Sequence, residues 1–521
     1  MSYETRLEEF RDLIRRIEYL KYTLNSLIYW DKITYMPPDG IEYRSQVMSF
    51  LADEQYKLMS GPAFRGHVKY FTGHRKNDEL TNAMMKRITR SSGFISRIPE
   101  EEYRRYIELI ARSEQVWEKA REEDDFESFR PYLENIMETF RKFAEYWGYE
   151  NDPYDALLGY YEEGLTVEKV DSLVQELKPF LITLLDEIRT AEKDRPHCRL
   201  AMPPADRKQQ EQLWKEILSD LGFSFTAGRV DTGAHPTILA SSPSDVRIVN
   251  AYRPEDLRYG LFNVLHSGGK GIYQQSIDPA LLGTFLAEVP SFAMEECIGR
   301  FYENILGRSL GFWSYFSDKI RAAVPDFSVR TPRELYEDVN RISSSRIRLE
   351  ADQLTYLLHI IIRYELEREL INGRLAVSDL PQAWNKKYED YLGIRPENDR
   401  EGVLQDIHWA AGYVGYFPTY IVADLTAAQL AASIEKECRS LESLMETGNF
   451  AAITDWLRAN IFCSGARYTA EELTLRATGE PLTSGYYMDY LRKKFSEVYN
   501  LTKENEKEKS NEQLTSKNWS G

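Results

Sequence analysis

Apolar side chains recur along this chain mainly at the 3.6-residue spacing of a helix, and helix start signals punctuate the pattern. Thr331-Pro332-Arg333-Glu334 reads as a capping box with proline at the first helical position. Thr469-Ala470-Glu471-Glu472 repeats that logic without the proline, and Ser378 before Leu380-Pro381-Gln382 opens another helix. Between residues 346 and 371, apolar positions at Ile347, Leu354, Leu358, Ile361 and Leu370 predict one helix, stopped by Asn372-Gly373. That helix is apolar on more than one side, which predicts deep burial. Strand-like sequence is confined to residues 228–251. There Thr237-Ile238-Leu239-Ala240 and Val246-Arg247-Ile248-Val249 flank a Ser-Pro turn, predicting a small β ribbon in a mainly α protein.

No internal repeat or Gly/Ser-rich linker divides the chain, and the nearest thing to a seam is the Pro- and charge-rich stretch from Asp194 to Asp206. Residues 1–500 therefore read as a single domain. Residues 501–521, with their Lys/Glu/Asn run, read as a polar disordered tail that buries too little to order itself. With 521 residues, 42% of them hydrophobic, the chain can bury a large core. Its formal charge of −17 argues against nucleic acid and against an anionic membrane surface as partners. No apolar run approaches the roughly 18 residues of a membrane span, and the charged N-terminus lacks the apolar core of a secretory signal. Cys198, Cys297, Cys438 and Cys463 form no CxxC pair, which points to free thiols and a cytoplasmic protein.

Four stretches carry a more specific signal. Trp30-Asp31 precedes Met36-Pro37-Pro38-Asp39-Gly40, Arg44 and Gln46. His235-Pro236-Thr237 precedes Asp245-Val246-Arg247-Ile248. Leu349-Glu350-Ala351-Asp352-Gln353-Leu354-Thr355-Tyr356 runs into Leu358-His359 and Arg363-Tyr364-Glu365. Leu404-Gln405-Asp406-Ile407-His408-Trp409 is followed by Gly415-Tyr416-Phe417-Pro418-Thr419-Tyr420. In this order, over roughly residues 5–498, they resemble the carboxypeptidase Taq family of metallocarboxypeptidases. The resemblance implies a two-lobed helical fold around a deep groove, a homodimer, and removal of C-terminal residues from peptides. It also implies zinc (or cobalt) held by HExxH and a later carboxylate, with the glutamate of the motif as general base.

At the position of that motif this chain carries His266-Ser267-Gly268-Gly269-Lys270. His266 keeps the first ligand position and Glu296 the later carboxylate, after Glu295 where the family has histidine. Ser267 stands at the general-base position and Lys270 at that of the second histidine. Asn460-Ile461-Phe462-Cys463-Ser464-Gly465 stands where the family has an Ile-His-x-His-Gly string. A lysine ammonium has three donors and no lone pair, so it cannot ligate a metal unless deprotonated. A serine hydroxyl has no carboxylate with which to take a proton from water, and loss of a general base costs about 10²–10⁴ in rate. Lys270 is accordingly expected to face Glu296 and Glu295, and the glycines at 268, 269 and 271 to reflect a helix no longer required to be rigid.

For substrate binding the resemblance points to His235, Arg348, Arg363, His408, Tyr416 and Tyr420, arginine with tyrosine hydroxyls being suited to a free carboxylate. The plainer alternatives are a hydrogen-bonded core histidine at 266 and helix arginines paired with Glu350, Glu365 or Glu367. Three functional readings follow. One is a zinc-less, catalytically degenerate family member that keeps the binding of peptide C-termini. Another is an active carboxypeptidase with an altered site of His266, Glu295 and Glu296, and the third a dimerising scaffold or partner of an active relative.

Overall fold

Local capping chemistry sets where many helices begin. Thr331 accepts a hydrogen bond from the Glu334 amide while the Glu334 carboxylate accepts one from the Thr331 amide, and Thr469 and Glu472 repeat the exchange. Leu380–Leu392 begins where the Ser378 signal placed it, after a single 3₁₀ turn at Val377–Asp379. The computed structural model describes residues 2–194, 204–233, 236–324 and 330–501, and within them the fold is mainly helical. The predicted seam falls largely, and the tail almost wholly, outside the described residues, as do His235 and Cys198. Cys297, Cys438 and Cys463 are free thiols. No helix among the described residues is long and apolar enough to cross a membrane.

The ribbon has three strands rather than two. β1 (Gly228–Thr232) runs parallel to β3 (Asp245–Asn250), and β2 (Thr237–Ser242) pairs antiparallel with β3 on its other side. β1 escapes the alternation rule because only Asp231 on it is buried, so its pattern never reads as a half-buried strand. Trp30 ties the N-terminal helices to this sheet. Its indole donates to Asp231 at 2.9 Å, and its ring packs against the guanidiniums of Arg229 and Arg247 at 4.9 and 4.5 Å.

Four helices carry the site. They are α1 (Leu257–Ser276), α2 (Phe292–Arg300), α3 (Tyr356–Ile371) and α4 (Pro418–Glu437). α1 packs against β2, β3 and α2, and α2 in turn lies along α4. α3 is buried almost all round, as its apolar faces predict. It starts ten residues later than residue 346, because Asp352 intercepts the backbone. One oxygen of its carboxylate accepts from the Leu354 and Thr355 amides, and Arg348–Glu350 is left as a lone 3₁₀ turn.

Candidate functional site

α1 is capped by Asp256 and carries His266, Ser267 and Lys270; α2 is capped by Ser291 and carries Glu295 and Glu296. A buried carboxylate also holds the first turn of α2, Glu162 accepting from the Ala293 amide at 2.7 Å, and burial pushes Glu162 up to about 7. Four residues apart on one helix, His266 and Lys270 project from the same face. Both meet Glu296. The Lys270 ammonium donates to Glu296 Oε1, and His266 Nε2 lies 3.5 Å from Glu296 Oε2. The other imidazole nitrogen, Nδ1, donates to Glu303 at 3.1 Å. Glu303 can reach back because α2 runs into a π-helical turn at Phe301–Leu306, which widens the helix and shifts its register.

Electrostatics follow from this enclosure. Burial opposes ionisation of Glu296, yet Lys270 and His266 together hold it well below the usual carboxylate range. Burial and the Lys270 charge oppose protonation of His266, but Glu296 and Glu303 hold it above the usual histidine range. Burial also opposes the Lys270 charge, and Glu296 and Glu295 outweigh it. Burial lifts Glu295 above its ordinary value against the opposing charge of Lys270, whose ammonium hydrogen-bonds its neighbour instead. Among the described residues no group of three or more His, Cys, Asp or Glu is placed to hold a metal ion. Ser267 is buried on the same helix and brings no ionisable group.

The glycines of α1 have a different cause from the one the sequence suggested. A Cβ on Gly268 would sit 2.2 Å from Leu218 Cδ2, one on Gly269 2.6–2.8 Å from Tyr302, and one on Gly271 2.8 Å from the Phe223 ring. They are close-packing contacts of a well-seated helix, not a sign of relaxed rigidity. Gly299 of α2 plays the matching part for His266, whose ring atoms would lie 2.6–2.8 Å from an added Cβ. Downstream, Phe462 stacks on Tyr273 of α1, ring centroids 4.6 Å apart, so apolar packing stands at one of the positions where the resemblance has imidazole.

A second cluster adjoins the first. Asp406 accepts from both arginines. Arg348 donates to Oδ1 from Nε at 2.9 Å and from Nη2 at 2.8 Å, while Arg363 Nε donates to Oδ2 at 2.6 Å. Glu350, Glu365 and Glu367 are therefore not their partners. Glu365 pairs with Lys178 and Lys387, and Glu367 accepts from Tyr154, Trp409 and the Gly415 amide. Arg363 is fully buried and Arg348 nearly so, the latter also donating to the Tyr356 hydroxyl at 3.1 Å. The ring of His408 lies against Phe417 and Tyr416, centroids 4.6 and 5.8 Å apart, and burial pushes it down to about 4. Tyr416 packs edge-on against Tyr420, and His359 sits in the core 3.0 Å from the Tyr388 hydroxyl.

Arg300 joins the clusters. Its guanidinium lies 4.1 Å over the Tyr356 ring, with Nε 3.8 Å from Asp424 and Nη1 3.8 Å from Glu303. Burial pushes Asp424 up to about 6 against that charge. Sequence reasoning missed Arg300, Glu303, Asp406 and Asp424. The i, i+4 spacing of Glu296 and Arg300 on one helical face was the signal available for Arg300.

The profile of the carboxypeptidase Taq (M32) metallopeptidase family matches residues 9–495. Carboxypeptidase 1 of Bacillus subtilis is 36% identical over 505 residues, 96% of this chain and 100% of that protein. Thermostable carboxypeptidase 1 of Thermus thermophilus is 35% identical over 511 residues, with the same coverage. The crystal structure of the M32 carboxypeptidase from Deinococcus radiodurans superposes with a TM-score of 0.91 at 32% identity, covering 95% of this chain and 100% of that one.

Proposed function

The chain belongs to the carboxypeptidase Taq (M32) metallopeptidase family, and on that premise we propose that it is a member without metal-dependent hydrolysis that keeps its groove for binding peptide C-termini. One observation carries the proposal: the Lys270 ammonium is hydrogen-bonded to Glu296, the carboxylate a divalent cation would need. Two further features support it. His266 turns one nitrogen toward Glu296 and the other to Glu303, a balanced arrangement with no lone pair left for a metal while the ring is an imidazolium. Ser267, at the position of the family's general base, has no group to accept a proton from water. The residues present do not fit a zinc or cobalt ion, and no catalytic step is derived through one.

On this reading a peptide C-terminus is received beside Tyr416, Tyr420 and His408, with Arg348 and Arg363, whose two charges exceed the one on their shared Asp406, leaving net positive potential close by. We also read the chain as a cytoplasmic homodimer. The helix Ile41–Ser60 buries none of its own residues and exposes Tyr43, Phe50 and Tyr56, a patch suited to a second copy.

Metal analysis of the purified protein, with release of C-terminal residues from blocked dipeptides measured with and without added Zn²⁺ or Co²⁺, tests the proposal. Zinc far below one equivalent and no chelator-sensitive turnover are expected. Tightly held stoichiometric zinc, or chelator-sensitive turnover at ordinary enzyme rates, overturns it. The paired change Ser267→Glu with Lys270→His removes the competing ammonium and is expected to raise zinc affinity.

A further inference from the structure

A cavity of about 360 Å³ opens beside the N-terminus of α2, and Glu295 lies in its wall. Phe94, Tyr160, Tyr161, Phe292 and Tyr468 supply its aromatic surface. The charges around it are not equivalent. Lys86 lies 3.0 Å from Glu163, and Arg90 lies 3.8 Å from the same carboxylate while donating to the Gly159 and Tyr160 carbonyls. Arg87 donates to Glu288 at 3.4 Å and to the Pro290 carbonyl at 3.0 Å, and Arg467 lies 3.8 Å from Asp278. Glu163 and Glu288 are thereby matched. Glu295 alone of the three lining carboxylates has no cation within 4.0 Å and no hydrogen-bond donor among the described residues, because Lys270 is committed to Glu296.

We propose that Glu295 makes this cavity a receptor for a basic side chain, a protonated amine or guanidinium carried by a peptide lying along the groove. A partly buried carboxylate without a partner is costly, and a cation that supplies one gains a charge-assisted hydrogen bond in a sheltered site. Aromatic walls suit the apolar stem of lysine or arginine and, where a ring presents its face, the cation at its tip. The four wall cations do not repel such a guest strongly, since each is already offset by a carboxylate or by backbone carbonyls. This inference rests on the peptide-binding reading for the origin of its guest, but the pocket chemistry can be tested apart from it.

Two probe pairs separate the questions in calorimetric titrations of the full chain. Hippuryl-lysine against hippuryl-norleucine keeps the free C-terminal carboxylate and changes only the amine. Nα-acetyl-lysine amide against Nα-acetyl-norleucine amide removes that carboxylate. Lysine is expected to bind about tenfold more tightly than norleucine, the value of one sheltered charge-assisted hydrogen bond. In Glu295→Gln the lysine advantage should fall to about twofold or less with norleucine binding unchanged. The variant is isosteric and removes an unpaired charge, so its melting temperature should match or exceed the wild type, which confirms the fold. If the hippuryl peptides fail to bind, the C-terminus reading fails and the amide pair decides the inference alone. Equal binding of lysine and norleucine, no binding of either amide alongside failed peptides, or a lysine advantage that survives Glu295→Gln overturns it.

Discussion

Replacing Lys270 by methionine tests the feature on which the site depends. The side chain keeps nearly its length and volume while the ammonium is lost. Lys270 and Glu296 expose only 11% and 14% of their side chains, so the pair exchanges little with solvent. Removing one member of a buried pair typically costs about 3–5 kcal/mol, because the other charge is left without compensation. His266 remains 3.5 Å from Glu296 on its other oxygen, which recovers part of that. The expected loss is therefore near the lower bound, about 3 kcal/mol. Adding Glu296→Gln in the same chain should return all but about 1 kcal/mol, since both charges are then gone. Urea unfolding followed by circular dichroism measures both, as a fall in midpoint at unchanged slope. The penalty of the single variant should shrink as the solution is acidified. In wild type, Lys270 and His266 hold Glu296 well below its ordinary range, so its contribution is present above that range and is lost only in strong acid. Without Lys270 the carboxylate protonates more readily, and acid relieves the variant. A Lys270→Met protein as stable as wild type at neutral pH would refute the reasoning, since the ammonium would then not be what holds Glu296.

Other outcomes follow from the same contacts. Asp406→Asn leaves Arg348 and Arg363 buried around a neutral amide and should cost about 3–5 kcal/mol in denaturant unfolding; a loss under about 1 kcal/mol would show the arginines find other partners. Gly269→Ala gains about 1 kcal/mol of helix propensity but drives a methyl group into Tyr302 at a cost near the upper end of about 1–3 kcal/mol, and a net loss of about 1–2 kcal/mol in thermal unfolding is expected. Burial outweighs three hydrogen-bond donors and lifts Glu367 from 4.5 to about 7, so the folded protein retains a proton that the unfolded chain releases. Its contribution to stability therefore falls as pH rises across that window, and Glu367→Gln should flatten the slope measured by melting temperature against pH.

Much of this molecule was legible where the determining contacts are local. The boxes at Thr331 and Thr469 are settled within four residues, and the β2–β3 pairing by two short strands across a turn. The approach of Lys270 to Glu296 was legible because i, i+4 geometry fixes one side and family resemblance the other. What stayed hidden depends on distant partners. Asp406 lies 58 residues from Arg348 and 43 from Arg363, and no periodicity links them. The start of α3 was misplaced because one Asp352 carboxylate competes with the helix for its own amides. The glycines of α1 were misread because propensity reports on an isolated helix, whereas Leu218, Tyr302 and Phe223 set the requirement. Glu303 escaped because a π-helical turn breaks the period on which such counting relies.

Gly299 has a consequence for any attempt to engineer a metal site here. The slot for the His266 imidazole is carved from main chain, by a residue with no side chain to yield, whereas Lys270, Ser267 and Phe462 are side chains that can be exchanged singly. That contact fixes the spacing between α1 and α2 at the imidazole. On the proposed reading, admitting a metal would be a matter of exchanging those few functional groups, whereas a methyl group at position 299 would drive into the His266 ring and displace the one imidazole the site has.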